Sequence, residues 1–235
     1  KMVDRFISIY EVLFDASSPV PIETAGKKYI SSIGQKEGMM NVGDERNEVL
    51  SVDEEAFRSE LNRLMACYDK LDAFIFFKLV HAAFDKAIND QNHKGLIFYH
   101  IHNPDAYAKL NFSRLASDAN WVMMVREPIQ SCEAWLKNSL EKNAYTEIAN
   151  KIISMFFEID DVVYKRQRSV GVRLEDLKRR PRETIPALCN WMGIEENEHL
   201  YQMTAQEKKW WGDPSSPDYS KDGMDPFGKT SIDRK

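Results

Sequence analysis

Cysteine is scarce in this chain of 235 residues: Cys67, Cys132 and Cys189 are the whole complement, and no two of them have CxxC spacing. A disulfide framework and a structural thiolate zinc site are thereby excluded, and a reducing compartment is expected. Positive charge is not in surplus either. A net charge of -5 argues against a general nucleic-acid binder, although a local basic pocket for a small polyanion would scarcely register in that sum. Long apolar runs are also missing. The most apolar stretch, residues 74–84, is interrupted by Lys78 and His81 and is too short to span a bilayer. The N-terminal residues lack the basic and apolar character of a secretory leader, so a soluble, cytoplasmic protein is the expectation.

What is present is the composition of a folded protein. Hydrophobic residues make up 43% and charged residues 29%, and the length suits one ordinary domain with a sizeable core. Phe6, Ile9, Tyr10, Leu13 and Phe14 recur at helical spacing before Pro19 and Pro21 stop the pattern. Residues 22–49 scatter their apolar side chains among four glycines, which predicts irregular structure with at most one short helix. Ser51, followed by Asp53, Glu54 and Glu55, reads as a helix start, with the Ser hydroxyl as cap and the acids suited to the dipole. That helix should reach about residue 67, and a second should cover 73–89.

From residue 96 the grammar changes. Leu-Ile-Phe-Tyr-His-Ile-His (96–102) is an apolar burst of strand length ended by Asn103-Pro104. Trp121-Val-Met-Met-Val125 repeats it, with a helix from Pro128, and Val170-Gly-Val-Arg-Leu174 repeats it again, with a helix around 181–192. Between them, 145–168 reads as one long helix with Ile148, Ile152, Met155, Phe156, Ile159 and Val163 on its inner side. Short buried strands alternating with helices predict an α/β fold: a parallel sheet flanked by helices in three layers.

In such a sheet ligands gather beyond the carboxyl ends of strands, where helix N-termini present free amides. Arg126 stands at that point and Pro128 is suited to the first helical turn, so a guanidinium and a positive helix end converge on one crevice. The plainer reading is an ion-pairing surface arginine followed by ordinary helix punctuation.

The wider context shifts that balance. Trp121-Val-Met-Met-Val-Arg126-Glu-Pro128, followed by Ser131 and Trp135, resembles the segment with which PAPS-dependent sulfotransferases hold the 3′-phosphate of 3′-phosphoadenosine 5′-phosphosulfate (PAPS). Glu175-Asp176-Leu177, Pro181 and then Trp191-Met192-Gly193 are similar to that family's Glu-Asp-Leu, Pro and Phe-Leu-Gly pattern, in the right order. The resemblance spans about 96–194 and implies a P-loop-type three-layer fold. It also implies PAPS as co-substrate, no metal, and sulfuryl transfer to a hydroxyl or amine acceptor.

It further implies His102 as catalytic base, with His100 as the second candidate because the two-residue strand period puts both on one side. The plainer fate of either is a satisfied strand-edge histidine. Arg126 and Ser131 would hold the 3′-phosphate, and Arg234-Lys235 resembles the start of the late Arg-Lys-Gly loop that closes over it. The chain departs from the family in three places. Ala134 stands eight positions after Arg126, where a phosphate-binding Ser is usual, and Leu174 stands where an aromatic packs on adenine. No Gly-rich phosphate loop with Lys and Ser or Thr occurs, since neither Gly26-Lys27-Lys28 nor Gly34-Gln35-Lys36 has the surrounding strand and hydroxyls. The simplest reading of that gap is a sulfotransferase that begins after its loop and is an inactive fragment.

Two rivals follow. A nucleotide-dependent phosphotransferase needs a Walker loop and a magnesium-holding Asp after a strand, which Arg126-Glu127 does not supply. A binding or scaffold domain keeps the fold without the chemistry. The Trp210-Trp211 pair is expected to clamp a Pro- and Gly-rich tail to the core. The cluster Lys165, Arg166, Arg168, Lys178, Arg179, Arg180 and Arg182 is expected to be a solvated face.

Overall fold

The computed structural model describes residues 1–24, 27–32, 34–35, 38–90, 94–101, 106–161, 164–165, 168–214 and 219–228. These residues fall into two compact units, the first built on Lys1–Phe98 with Glu198–Pro226 and the second on Tyr99–Asn197 with the segment from Phe227.

The first unit is organised by three helices, α1 (Met2–Ile9), α2 (Glu54–Met65) and α3 (Ala73–Ala87). Its core joins Val3 and Ile7 of α1, Phe57 and Leu61 of α2, and Leu79 and Ala83 of α3, with Val52 beside them. Phe57 is wholly buried, with the Phe6 ring stacked at 5.7 Å and the Phe14 ring at 5.1 Å. The helix expected of the first segment ends at Ile9, short of Leu13 and Phe14, and its inner face is turned: Ile9 and Tyr10 are exposed. Asp53, not Ser51, caps α2, its Oδ1 accepting the Ala56 N–H at 2.8 Å. Asp72 caps α3 by accepting from Phe74 and Ile75 at 2.9 and 2.7 Å. A carboxylate carries a full charge into the positive helix end, an advantage that a hydroxyl lacks.

Where irregular structure was expected, β1 (Pro19–Thr24) pairs antiparallel with β2 (Lys27–Ser32). Alternate prolines disguise the first strand, yet a two-stranded ribbon has only edge strands, where a missing N–H is tolerated. A second small hairpin, β5 (Thr204–Ala205) with β6 (Lys208–Lys209), turns through Gln206 and Glu207 at φ 50° and 62°. After it, Trp211 lies between the Arg46 guanidinium at 3.8 Å and the Lys209 ammonium at 3.7 Å, and donates its indole N–H to the Gly43 carbonyl at 2.7 Å. The Trp210–Trp211 pair was expected to clamp the tail to the core; Trp211 instead packs on residues 43–46, outside that core. Gly38 beside it has φ 69°, and a Cβ there would meet the Gly212 oxygen at 2.2 Å.

The second unit is mixed α/β. It runs α4 (Ala106–Leu115), β3 (Trp121–Val125), α5 (Pro128–Glu141), α6 (Tyr145–Ile159), β4 (Ser169–Arg173), α7 (Leu174–Arg179) and α8 (Pro181–Met192). β3 and β4 form a two-stranded parallel sheet, in register from Trp121↔Ser169 to Val125↔Arg173. Pro181 opens α8, and Gly193 closes it at φ 75°, a conformation that glycine adopts without Cβ strain.

Four expectations are corrected here. Residues 96–101 carry no regular secondary structure, and Leu96, Ile97, Phe98 and Tyr99 are exposed. A parallel strand has no local partner; its ladder must come from a distant neighbour, and none is found among the described residues. The helix expected over 145–168 stops at Ile159, where Asp160 and Asp161 put two negative charges at the negative helix end. Phe156, expected inward, is 64% exposed. Met124 of β3 is 51% exposed, so that strand is not covered on both faces among the described residues. Val163 lies outside the described residues.

Candidate anion site at the sheet's carboxyl end

β3 and β4 end side by side, with Val125 and Arg173 paired in the last rung of the ladder. Arg126 follows at once and is exposed. Glu127 comes next, and Pro128 begins α5, so the first amides of a 14-residue helix lie just beyond the arginine. Ser131 sits in the first turns of α5, partly buried, with its N–H bonded to the Glu127 carbonyl at 3.1 Å. The structure thus brings Arg126 and Ser131 to the same end of the sheet.

The remaining candidates fare differently. His100 is exposed within the irregular stretch 94–101, not at a strand end. His102, Arg234 and Lys235 lie outside the described residues. Leu174, at the position expected for an adenine-packing aromatic, is the first residue of α7 and partly buried.

One residue of this site was not singled out as functional from the sequence: Glu175. Its side chain is buried, at 4% exposure. Oε1 accepts the Glu127 N–H at 2.9 Å, tying the turn after β3 to the turn after β4. Oε2 has no hydrogen-bond partner among the described residues and lies 4.0 Å from Arg173 Nε. Burial pushes the carboxyl up, but hydrogen bonds from the Glu127 and Glu175 amides, together with the charges of Arg173 and Arg126, outweigh it and hold the group below the usual carboxylate range. The signal was a Glu directly after a strand, which reads equally well as a helix-start acid.

A second polar cluster sits at the opposite end of the sheet. Lys109 of α4, buried to 6% exposure, puts its ammonium between Glu158 and Asp161, the latter at 2.6 Å. Tyr164 donates its hydroxyl to Glu158 at 2.6 Å, Ser169 donates to the Tyr164 carbonyl at 2.5 Å, and the Trp121 ring meets Tyr164 edge-on at 6.3 Å. Burial alone would lower the lysine, but hydrogen bonds to Asp161 and Glu158 raise it overall. Burial raises the Tyr164 phenol, and its bond to Glu158 adds to the shift. Trp121 and Ser169 are the first residues of their strands, so this cluster anchors the amino end, away from the edge where ligands collect.

Of the basic cluster expected to form a solvated face, Arg166 lies outside the described residues and Lys178 is half-buried. Arg180 pairs with Asp176 at 2.8 Å and Lys165 with Asp160 at 2.5 Å, while Arg179 and Arg182 are exposed. Arg168 lies 4.9 Å above the Trp191 ring. Among the described residues no group of three or more His, Cys, Asp and Glu could hold a metal ion, and no helix is long and apolar enough to cross a membrane.

The chain matches no family model, no curated protein and no solved structure.

Proposed function

We propose that the chain is a PAPS-dependent sulfotransferase by fold and binding site, with a P-loop-type three-layer sheet of which β3 and β4 are two strands. The observation that carries the reading is Arg126, seated between the carboxyl end of a parallel strand and the N-terminus of α5. A guanidinium and free helix amides there suit a phosphate dianion. The segment that resembles sulfotransferases, about 96–194, also nearly coincides with the second compact unit, Tyr99–Asn197.

On this reading Arg126 and Ser131 bind the 3′-phosphate, and Arg234 and Lys235 close over it. His102, or His100 in its place, takes the proton from the acceptor hydroxyl or amine. The acceptor atom forms its bond to sulfur as the bond from sulfur to the bridging phosphate oxygen breaks, and adenosine 3′,5′-bisphosphate (PAP) leaves with the electron pair. The protein's part is orientation and positive charge where negative charge develops.

Thermal denaturation in the presence of PAP or ATP tests the reading. PAP is expected to raise the transition temperature and ATP to leave it unchanged, with Arg126→Ala removing most of the PAP effect. Stabilisation by ATP alone would transfer the chain to the phosphotransferases. A second reading, a binding domain without chemistry, is favoured by one observation: His100 is exposed in a stretch without strand structure. A sulfotransferase that has lost its chemistry still responds to PAP; a domain turned to another role responds to neither nucleotide.

A further inference from the structure

Helix α6 carries two apolar faces, and among the described residues only one of them is packed. Ile148, Ile152 and Met155 are half-buried on the inner side, where Glu158 also reaches Lys109. At about 100° per residue, Tyr145, Ala149, Ile153, Phe156 and Phe157 fall within about 120° of arc on the other side. Tyr145 is 61% exposed, Ile153 50%, Phe156 64% and Phe157 73%, and Ala149 is exposed with them. With about 200 Å² for each aromatic side chain, the stripe leaves about 500 Å² of apolar surface in water. That is near the largest patch an ordinary monomer shows.

The stripe is not flat. Ile153, Phe156, Phe157 and Asp160 surround a hollow of about 330 Å³. Their spacing, i, i+3, i+4 and i+7, is that of the hole which one helix offers to a side chain of another. Ile153 is itself a branched, exposed side chain on this face, so knob and hole stand on one helix. When a second α6 runs antiparallel, its Ile153 enters the hollow while the first Ile153 enters the matching hollow of the second. Ala149, with a single methyl group, leaves room for the end of the partner helix.

Charge sets the direction. Asp160 alone is charged among the described residues of the stripe, and its pair with Lys165 is exposed. Parallel copies would set two Asp160 carboxylates side by side across the 8–10 Å, or about 9 Å, between packed helices. Antiparallel copies hold them about 15 Å apart along the axis, each beside the partner's N-terminal half, where the helix dipole is favourable. A lipid surface is a poorer occupant: Thr146, Glu147 and Asn150 flank the stripe, where a helix that lies on a membrane carries Lys and Arg.

We infer that α6 is the contact of a two-fold dimer, in which its stripe takes a second, antiparallel copy of this chain. Ile153 of each copy sits between Ile153, Phe156, Phe157 and Asp160 of the other. The pair covers about 1,000 Å², the least that a specific interface needs. The dimer is independent of the sulfotransferase reading, since no residue of the stripe belongs to the anion site.

Sedimentation equilibrium of the full chain tests this. The parent is expected to show a reversible monomer–dimer equilibrium in the micromolar range, because an interface of that size lies at the weak end of specific contacts. Ile153→Asp and Phe157→Glu should each weaken it at least about a hundredfold, since each change enters a two-fold interface twice and buries unpaired charge. Ile153→Leu keeps the apolar bulk and should stay within about tenfold of the parent. All three changes meet water in the dilute monomer, so its urea midpoint should stay at the parent value. Asp160→Asn should alter the dimer constant less than about fivefold.

A parent chain that stays monomeric overturns the inference, and if it floats with phosphatidylcholine–phosphatidylserine vesicles the face belongs to a membrane. An Ile153→Asp monomer with a lowered urea midpoint overturns it too, because the face is then covered within the chain. A gain of more than about tenfold on Asp160→Asn would mean that the copies lie parallel. Association that Phe98→Lys abolishes, and that the α6 changes leave intact, would place the contact outside α6.

Discussion

Replacing Lys109 by Met leaves the length of the side chain nearly unchanged and removes only the ammonium. Glu158 and Asp161 would then lose the ammonium they share, at 21% and 23% side-chain exposure, around a position that is 7% exposed. Breaking a buried ion pair from one side costs about 3–5 kcal/mol. The two carboxylates reach some solvent, which places the expected loss near the lower end, about 3 kcal/mol, a large part of the stability of an ordinary domain. Amide hydrogen exchange at pH 7, read in α4 and α6, is the suitable assay because it reports on this unit by itself. The slowest amides should exchange about a hundredfold faster, at about 1.4 kcal/mol per decade. Adding Glu158→Gln and Asp161→Asn to Lys109→Met should recover most of the loss, since a neutral cluster leaves no uncompensated charge. A single variant that exchanges like the parent, or a triple variant no better than the single, would refute the reasoning.

Alkaline pH should weaken the same unit. Lys109 and Tyr164 both have raised values in the folded chain, so the unfolded chain releases protons that the native state still holds. Stability is therefore complete below the ordinary values near 10 and falls as pH rises above them; Tyr164→Phe should flatten the decline between pH 10 and 11.5, followed by circular dichroism. In the first unit, Phe57→Ala empties a fully buried aromatic site and should cost about 3–5 kcal/mol in urea unfolding, with no effect on PAP affinity. His102→Gln, in a chain supplied with a Gly-rich phosphate loop, should abolish transfer from labelled PAPS and spare PAP binding; a chain that still transfers would move the base to another residue.

The parts of the fold that were legible in the sequence are those whose signals are local. β3 begins at Trp121 and ends at Val125, and α8 runs from Pro181 to Met192, as expected, because each is bounded by its own punctuation: Arg-Glu-Pro after the strand, Pro before the helix and Gly193 after it. Residues 96–101 carry an equally good local pattern and still form no strand, because ladder formation is decided by a neighbour that local periodicity cannot see. The β1–β2 hairpin failed for the converse reason, since Pro19 and Pro21 suppress the strand signal while the ribbon tolerates them. The place of Arg126 in the fold was legible because it is defined by one strand and one helix. The Glu127–Glu175 bond was not, because it depends on the register between β3 and β4, in two segments 48 residues apart. The Lys109 cluster was hidden in the same way, joining residues 49 and 52 positions apart.

The short parallel sheet also bears on how the molecule behaves in a tube. β3 and β4 pair with each other and with no other strand among the described residues. Among the described residues no strand lies beside their outer rows of amide and carbonyl groups, and such rows are templates onto which another extended, apolar chain can add. The uncovered run Leu96, Ile97, Phe98 and Tyr99 is a segment of that character carried by every copy. Purified material should therefore form oligomers as its concentration rises, with the particle-size distribution shifting before any loss of helical signal. A lysine placed at Phe98 should delay that onset.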